Sequence, residues 1–300
     1  MLAVTILGNN SAIPAHDRHP TAQVVQNTEQ SFLIDCGEGT QMQMNKYKIR
    51  SSKINHIFIS HLHGDHYFGL IGLLTSMGLL GRKHELHLYA TSTLKDIIDL
   101  QLQAASAHLP YELHFHDLKE EGVIVEDKKI RIECFKVQHR IECWGFLFKE
   151  KKNLRKIEIE AAKEYNIPSA FFDQLHMGED YITENNTIIK NELVTSAVPP
   201  PKTYAYCADT IYDEQLIDRV NNVDLIYHEA TYLHALQSKA ETRFHCTAQQ
   251  AATIAYKANA KKLLIGHFSS MYETIDEFKT EACNVFENTE LAIEGVCYLI

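Results

Sequence analysis

The chain has 300 residues, 45% of them apolar, enough to bury one large core or two small ones and unlike a disordered or collagen-like polymer. Its 39 acidic and 29 basic residues give a formal charge of −10, so a polyanion must be met by a local basic patch or by bound metal ions. No run approaches the roughly 18 apolar residues of a membrane helix, Met1 to Gly8 lacks the features of a signal peptide, and the seven scattered cysteines form no C-x-x-C pair. The expectation is a cytoplasmic protein with reduced thiols and no membrane association.

Ala3 to Leu7 and Ser31 to Asp35 read as short buried strands separated by the turn-rich stretch Gly8 to Pro20. Asp35 opens D-C-G-E-G-T-Q, a strand end followed by a glycine loop and a helix start near Thr40. Its carboxylate serves either a site or a local cap. The strand-like run His56 to Ile59 leads into Ser60-His61-Leu62-His63-Gly64-Asp65-His66. Three histidines and a carboxylate this close together cannot share one helix or strand face, so the stretch predicts a loop that turns them inward, eased by Gly64. Neutral imidazole and carboxylate suit Zn²⁺, with Mn²⁺ or Fe admissible and Ca²⁺ or Mg²⁺ less so.

Helical spacing then covers Phe68 to Leu80, followed by a strand at Glu85 to Ala90, a helix from Ser92 to Ala107 with Ser92 as its cap, and a strand at Tyr111 to Phe115. Lys129 to Gln138 alternates as a half-buried strand and delivers His139; Trp144 to Phe148 starts another. The texture changes between Lys149 and Pro201. Lys149, Lys151, Lys152, Arg155 and Lys156 precede a short helical run, Glu158 to Tyr165, and an Asn-rich segment ends in Pro199-Pro200-Pro201. This reads as an arm at about 150–200, inserted in a single domain spanning 1–300. Beyond it Tyr204 to Cys207 presents Asp209, Val223 to Tyr227 presents His228 and Glu229, a helix from Thr247 to about Ala258 follows His245, and Lys262 to Ile265 presents His267. Strand, loop and helix alternate without repeats, which is an α/β layered pattern.

His61, His63, Asp65, His66, His139, Asp209 and His267 all follow predicted strands, where α/β folds collect their sites. Seven donors exceed one tetrahedral ion and suit two ions sharing a carboxylate, an arrangement that clamps an in-line displacement at phosphorus.

The H-L-H-G-D-H loop with its downstream His, Asp and His resembles the metallo-β-lactamase superfamily. Together with L-G-N-N-S-A-I-P, D-C-G-E-G-T-Q, V-Q-H-R-I-E-C-W-G-F, A-D-T, H-E-A-T, H-C-T-A-Q-Q-A-A and G-H-F-S-S-M-Y, nearly the whole chain resembles the ribonuclease Z (tRNase Z) family. The resemblance implies an αββα sandwich of two mixed sheets flanked by helices, two Zn²⁺ per chain with Mn²⁺ as the substitute, and a homodimer. The implied activity is an endoribonuclease that removes 3′ trailers from precursor tRNA and leaves a 3′-hydroxyl. By motif match, His61, His63 and His139 would hold one ion, Asp65, His66 and His267 the other, and Asp209 would bridge. Asp65 would orient or deprotonate the attacking water, His245 would protonate the departing 3′ oxygen, and Glu229 would orient a ligand histidine. Two stretches depart from the family pattern. Residues 167–178 lack a Gly-Pro pair and carry His176 where lysine is expected, and His19 stands where Asn is usual. Lys149 to Lys156, or Lys46, Lys48 and Arg50, then become the candidates for phosphate contact. A same-fold hydrolase of small phosphodiesters or sulfate esters is the alternative activity, and a non-catalytic RNA-binding protein the alternative class.

Overall fold

The computed structural model describes residues 2–151, 154–198 and 200–300, which leaves Lys152 of the basic run and Pro199 of the proline run outside it. The first part of the chain supplies β1 (Ala3–Gly8), β2 (Ala22–Gln26), β3 (Ser31–Ile34), α1 (Thr40–Lys46), β4 (Ile54–Phe58), α2 (Gly64–Tyr67), α3 (Leu70–Leu79), β5 (Leu86–Ala90), α4 (Thr93–Ala104), β6 (Leu113–Asp117), β7 (Gly122–Glu126), β8 (Ile130–Val137) and β9 (Cys143–Glu150). A middle segment holds β10 (Lys156–Ile157), α5 (Ile159–Glu164), α6 (Phe172–Met177), β11 (Tyr181–Ile182), β12 (Ile188–Ile189), α7 (Asn191–Val194) and β13 (Thr195–Ser196). The rest supplies β14 (Thr203–Cys207), α8 (Leu216–Arg219), β15 (Leu225–Glu229), α9 (Gln237–Arg243), α10 (Ala248–Lys257), β16 (Leu263–Gly266), α11 (Asp276–Cys283), β17 (Thr289–Leu291) and β18 (Cys297–Leu299).

Two mixed seven-stranded sheets result, in the orders β18-β1-β2-β3-β4-β5-β6 and β17-β16-β15-β14-β9-β8-β7. Pairing is parallel from β3 to β6 and from β14 to β17; β3, β14, β15 and β16 are buried almost throughout and read as near-continuous apolar runs, whereas β4, β5 and β6 carry partly exposed histidines. Aromatic rings fill the space between the sheets: Phe58 lies 5.3 Å from Phe146 and 5.7 Å from Phe148, and Phe32 lies 5.7 Å from Phe148. On the outer faces, α3 buries Leu70, Leu73, Leu74 and Met77 against the first sheet, and α10 buries its alanine-rich side against the second. Helix, sheet, sheet and helix form the expected αββα sandwich. Among the described residues no helix is long and apolar enough to cross a membrane.

Where sequence and structure differ, a tertiary contact decides. The helix expected over Phe68 to Leu80 is α3, which starts at Leu70, whereas the histidine stretch expected to be a loop closes with the one-turn helix α2; the two are separated where the Gly69 amide bonds to the Cys36 carbonyl at 2.9 Å instead of continuing the helical ladder. Ser92 precedes α4 but its side chain caps nothing, whereas Thr247 forms a complete capping box with Gln250. Strands β2, β7, β17 and β18 and helices α9 and α11 were not apparent from pattern.

The chain divides into two compact units, one of Met1–Val125, Ile132–Phe148 and Lys202–Ile300, the other of Glu126–Arg131 and Lys149–Pro201. The smaller unit has its own core of Ile157, Ala162, Ile167, Leu175, Ile189 and Val194. Its internal contacts occupy much of the basic run: Lys151 pairs with Glu126 at 2.8 Å, Lys156 with Glu158 at 3.9 Å, and Arg155 Nε donates to Thr195 Oγ1 at 2.7 Å. His176 is likewise held, its Nδ1 2.6 Å from the Arg155 carbonyl, so this imidazole supports the unit's backbone where a lysine would reach outward.

A Cβ on Gly69 would meet the Gly37 carbonyl oxygen at 2.3 Å. Gly69→Ala therefore has to push apart the loops that carry Asp35 and the histidines, and a loss of about 1–3 kcal/mol is expected from the denaturant midpoint.

Candidate metal centre

The seven predicted donors meet where the strand ends of the two sheets converge. The loop after β4 provides His61 and His63, the one-turn helix α2 that replaces the rest of the expected loop provides Asp65 and His66, β8 leads to His139, β14 to Asp209 and β16 to His267. Asp35 and His267 adopt left-handed backbone, with φ of 56° and 60°, directly past their strands. Such a conformation costs a non-glycine residue of order 1 kcal/mol and is retained here as part of the turn into the site.

Two groups of donor atoms form. In the first, His61 Nε2 lies 3.0 Å from His63 Nδ1, which lies 3.1 Å from His139 Nε2, and Asp209 Oδ2 is 3.6 Å from His61 and 4.0 Å from His139. In the second, His66 Nε2 and His267 Nε2 are 3.4 Å apart, and Asp65 Oδ2 is 3.7 Å and 3.4 Å from them. Asp209 spans both, with Oδ2 3.5 Å from His66 and Oδ1 3.3 Å from His267. Ligands held at about 2.0–2.1 Å around a tetrahedral ion stand about 3.3 Å from one another, so these separations suit a shared cation. Asp209 Oδ1 is also sealed from solvent with no hydrogen-bond donor in place, an arrangement that costs free energy unless a cation satisfies it. The donor set therefore fits a metal.

The outer nitrogens are engaged by a second ring of groups, which leaves the inner ones facing the cluster. His139 Nδ1 donates to the Phe244 carbonyl at 2.9 Å, and His267 Nδ1 lies 2.9 Å from Thr231 Oγ1. His66 Nδ1 lies 2.7 Å from Asp35, which also accepts from the Ser60 amide at 2.7 Å, Ser60 Oγ at 2.9 Å and Tyr206 OH at 2.6 Å. Asp35 thus serves the site rather than a local cap. Glu229, fully buried, lies 2.8 Å from His245 Nδ1 and accepts from Thr231 Oγ1 at 2.6 Å. It positions His245 directly and His267 through Thr231. Sequence reasoning had not singled out Tyr206, Thr231, Ser60 or Arg140; Thr231 and Ser60 sit inside the motifs already quoted, while nothing local marks Tyr206.

Burial lowers the pKa of His61 well below its ordinary value and that of His63 to about 4, and lowers that of His139, so these imidazoles are neutral and ready to ligate. For Asp65, burial works against ionisation, but His66 and His267 outweigh it and hold the carboxyl below its usual range. Burial likewise disfavours charge on His245, yet the Glu229 carboxylate prevails and raises it to about 9. His63, Asp65, Asp209, His245, His267 and Arg140 line one cavity of about 300 Å³.

Imidazoles turned inward at the strand ends of an αββα sandwich are the arrangement of the metallo-β-lactamase fold, and the chain is a metal-binding hydrolase of that class. A family model described as Anti-Pycsar protein Apyc1 matches residues 2–155, which include the histidine loop and His139 but not Asp209, His245 or His267. Ribonuclease Z of Bacteroides fragilis is 42% identical over 97% of both chains. The structure of human tRNase Z, short form, matches with a TM-score of 0.72 at 24% identity, covering 99% of each chain. That of the metallo-β-lactamase fold protein YhfI from Bacillus subtilis matches with a TM-score of 0.69 at 20% identity, covering 99% of this chain and 98% of that one. The chain belongs to the ribonuclease Z family.

Replacing Asp35 by Asn keeps the shape but removes the charge that holds His66. Metal affinity is expected to fall about 10- to 100-fold, read by competition with a chromophoric chelator.

Proposed function

We propose that this chain is a zinc-dependent endoribonuclease that removes 3′ trailers from precursor tRNA and leaves a 3′-hydroxyl. The observation that carries the reading is the placement of a Glu229-held His245 in the same cavity as Asp65 and the two donor groups that share Asp209. His61, His63 and His139 would hold one Zn²⁺ and Asp65, His66 and His267 the other, with Asp209 within reach of both groups. Bound there, the ions would supply Lewis acidity at phosphorus and an activated water.

The chain's own groups do the rest. Asp65 is fixed by the Ala12 amide, 2.7 Å from Oδ2, and orients the attacking water while accepting its proton. Arg140 lines the cavity as a cation for the scissile phosphate. As the water oxygen bonds to phosphorus and the bond from phosphorus to O3′ breaks, the charged His245 gives its proton to O3′, and the phosphate stays on the trailer. Lys48 and Arg50 line a separate depression of about 470 Å³ with Gln41, Asn45 and Ser51, a surface suited to RNA phosphates. The family resemblance supports a homodimer in the cytoplasm. The charge of −10 and the internally paired basic residues of the smaller unit favour hydrolysis of small phosphodiesters as the second reading.

Elemental analysis of the purified enzyme is expected to give two zinc ions per chain, and His63→Ala fewer; a single ion in the active enzyme would overturn the two-ion reading. His245→Ala is expected to lose about 10²- to 10⁴-fold in kcat on precursor tRNA but little on bis(p-nitrophenyl) phosphate, whose leaving group needs no proton. Equal losses on both would remove His245 as the acid, and turnover of the diester alone by the intact enzyme would favour the second reading.

A further inference from the structure

A second group of histidines lies away from the strand-end cluster. His56 on β4, His87 on β5 and His114 on β6 are register partners across three parallel strands, and His116 sits opposite Tyr89. The rings stack: His56 and His87 have centroids 5.0 Å apart at 16°, His87 and His114 5.0 Å at 21°, and Tyr89 and His116 4.3 Å at 9°. Two carboxylates close the row. Glu85 lies 3.6 Å from His87 Nε2 and 3.2 Å from His114 Nε2, and Glu112 lies 3.3 Å from His114 Nε2. Among the described residues neither glutamate pairs with a lysine or arginine.

We propose that His87, His114, Glu85 and Glu112 form a third, accessory metal site for a divalent transition ion, Zn²⁺ foremost, separate from the catalytic centre. Ligand atoms of Glu85, Glu112 and His114 already lie within 4.8 Å of one another. His87 Nδ1 and His116 Nε2 are 2.9 Å apart, so one donates to the other. With His87 Nδ1 as donor, Nε2 keeps its lone pair toward Glu85, the outer hydrogen bond that a ligating histidine needs. Two imidazoles and two carboxylates match the preferences of Zn²⁺, Ni²⁺ and Cu²⁺ better than those of Mg²⁺ or Ca²⁺. The place is open: His56, Glu85, His87 and Glu112 line a depression of about 590 Å³, and Glu85 and Glu112 are 61% and 79% exposed. An ion can therefore enter without unfolding, and once bound it ties β5 to the edge strand β6.

The test starts from enzyme with its catalytic centre already filled with zinc, titrated with ZnCl₂ in a calorimeter, with bound metal counted after gel filtration. The wild type is expected to take up one further Zn²⁺ per chain. Two doubly substituted variants, His87→Gln with His114→Gln and Glu85→Gln with Glu112→Gln, are expected to lose that equivalent while retaining nuclease activity. The glutamate pair is exposed, so its substitution leaves packing intact. Uptake of no further ion by the wild type, or of the same further ion by both variants, would overturn the proposal.

Discussion

The carboxylate of Asp209 is sealed from water among the imidazoles of His61, His66, His139 and His267, all within 4.0 Å. A desolvated carboxylate needs positive charge nearby, yet burial keeps His61 and His139 neutral, while His66, against its burial, is drawn toward its charged form by Asp209, Asp35 and Asp65 together. One imidazolium among three carboxylates leaves negative charge that a bound cation would balance. The remainder of the fold can be understood as the means of holding these groups together against their preference for water.

That holding depends on both sheets at once. Strand β14 places Asp209 just beyond its end and also carries Tyr206, whose hydroxyl crosses to Asp35 at the end of β3 in the other sheet. Asp35 in turn orients His66, so the face-to-face packing of the sheets and the aim of the His66 imidazole are set by one hydrogen-bonded chain. Glu229, at the end of β15, plays the matching part on the other side, reaching His245 directly and His267 by way of Thr231. Asp35 and Glu229 are each satisfied by several donors, the condition under which buried polar groups rigidify a structure rather than weaken it.

Much of this was legible in the chain. Apolar runs followed at once by His or Asp marked several strand ends, because strands such as β3, β14 and β16, buried along most of their length, free polar side chains only beyond their ends. The role of Asp35 stayed open between site and cap because its deciding partner, Tyr206, is 171 residues away and lies within an apolar run. The one-turn helix α2 was hidden inside the histidine motif, whose density of site residues reads as a loop, and its end is set by the hydrogen bond of the Gly69 amide to Cys36. Short strands such as β17 and β18 have too few residues for a period to emerge, and they exist because neighbouring strands pair with them. The basic run after β9 suggested a phosphate-binding patch, but sequence does not reveal that Glu126 and Glu158 are close enough to pair with it.

The most direct measurement is the fate of a precursor tRNA bearing a 3′ trailer when mixed with the zinc-loaded protein, with both product ends mapped, beside a sample stripped of metal. The account predicts one cut at the acceptor end, a 3′-hydroxyl on the tRNA and a 5′-phosphate on the trailer, and no cut without metal. Zinc-loaded protein that leaves the precursor whole, or cleavage that persists after the metal is removed, would contradict it.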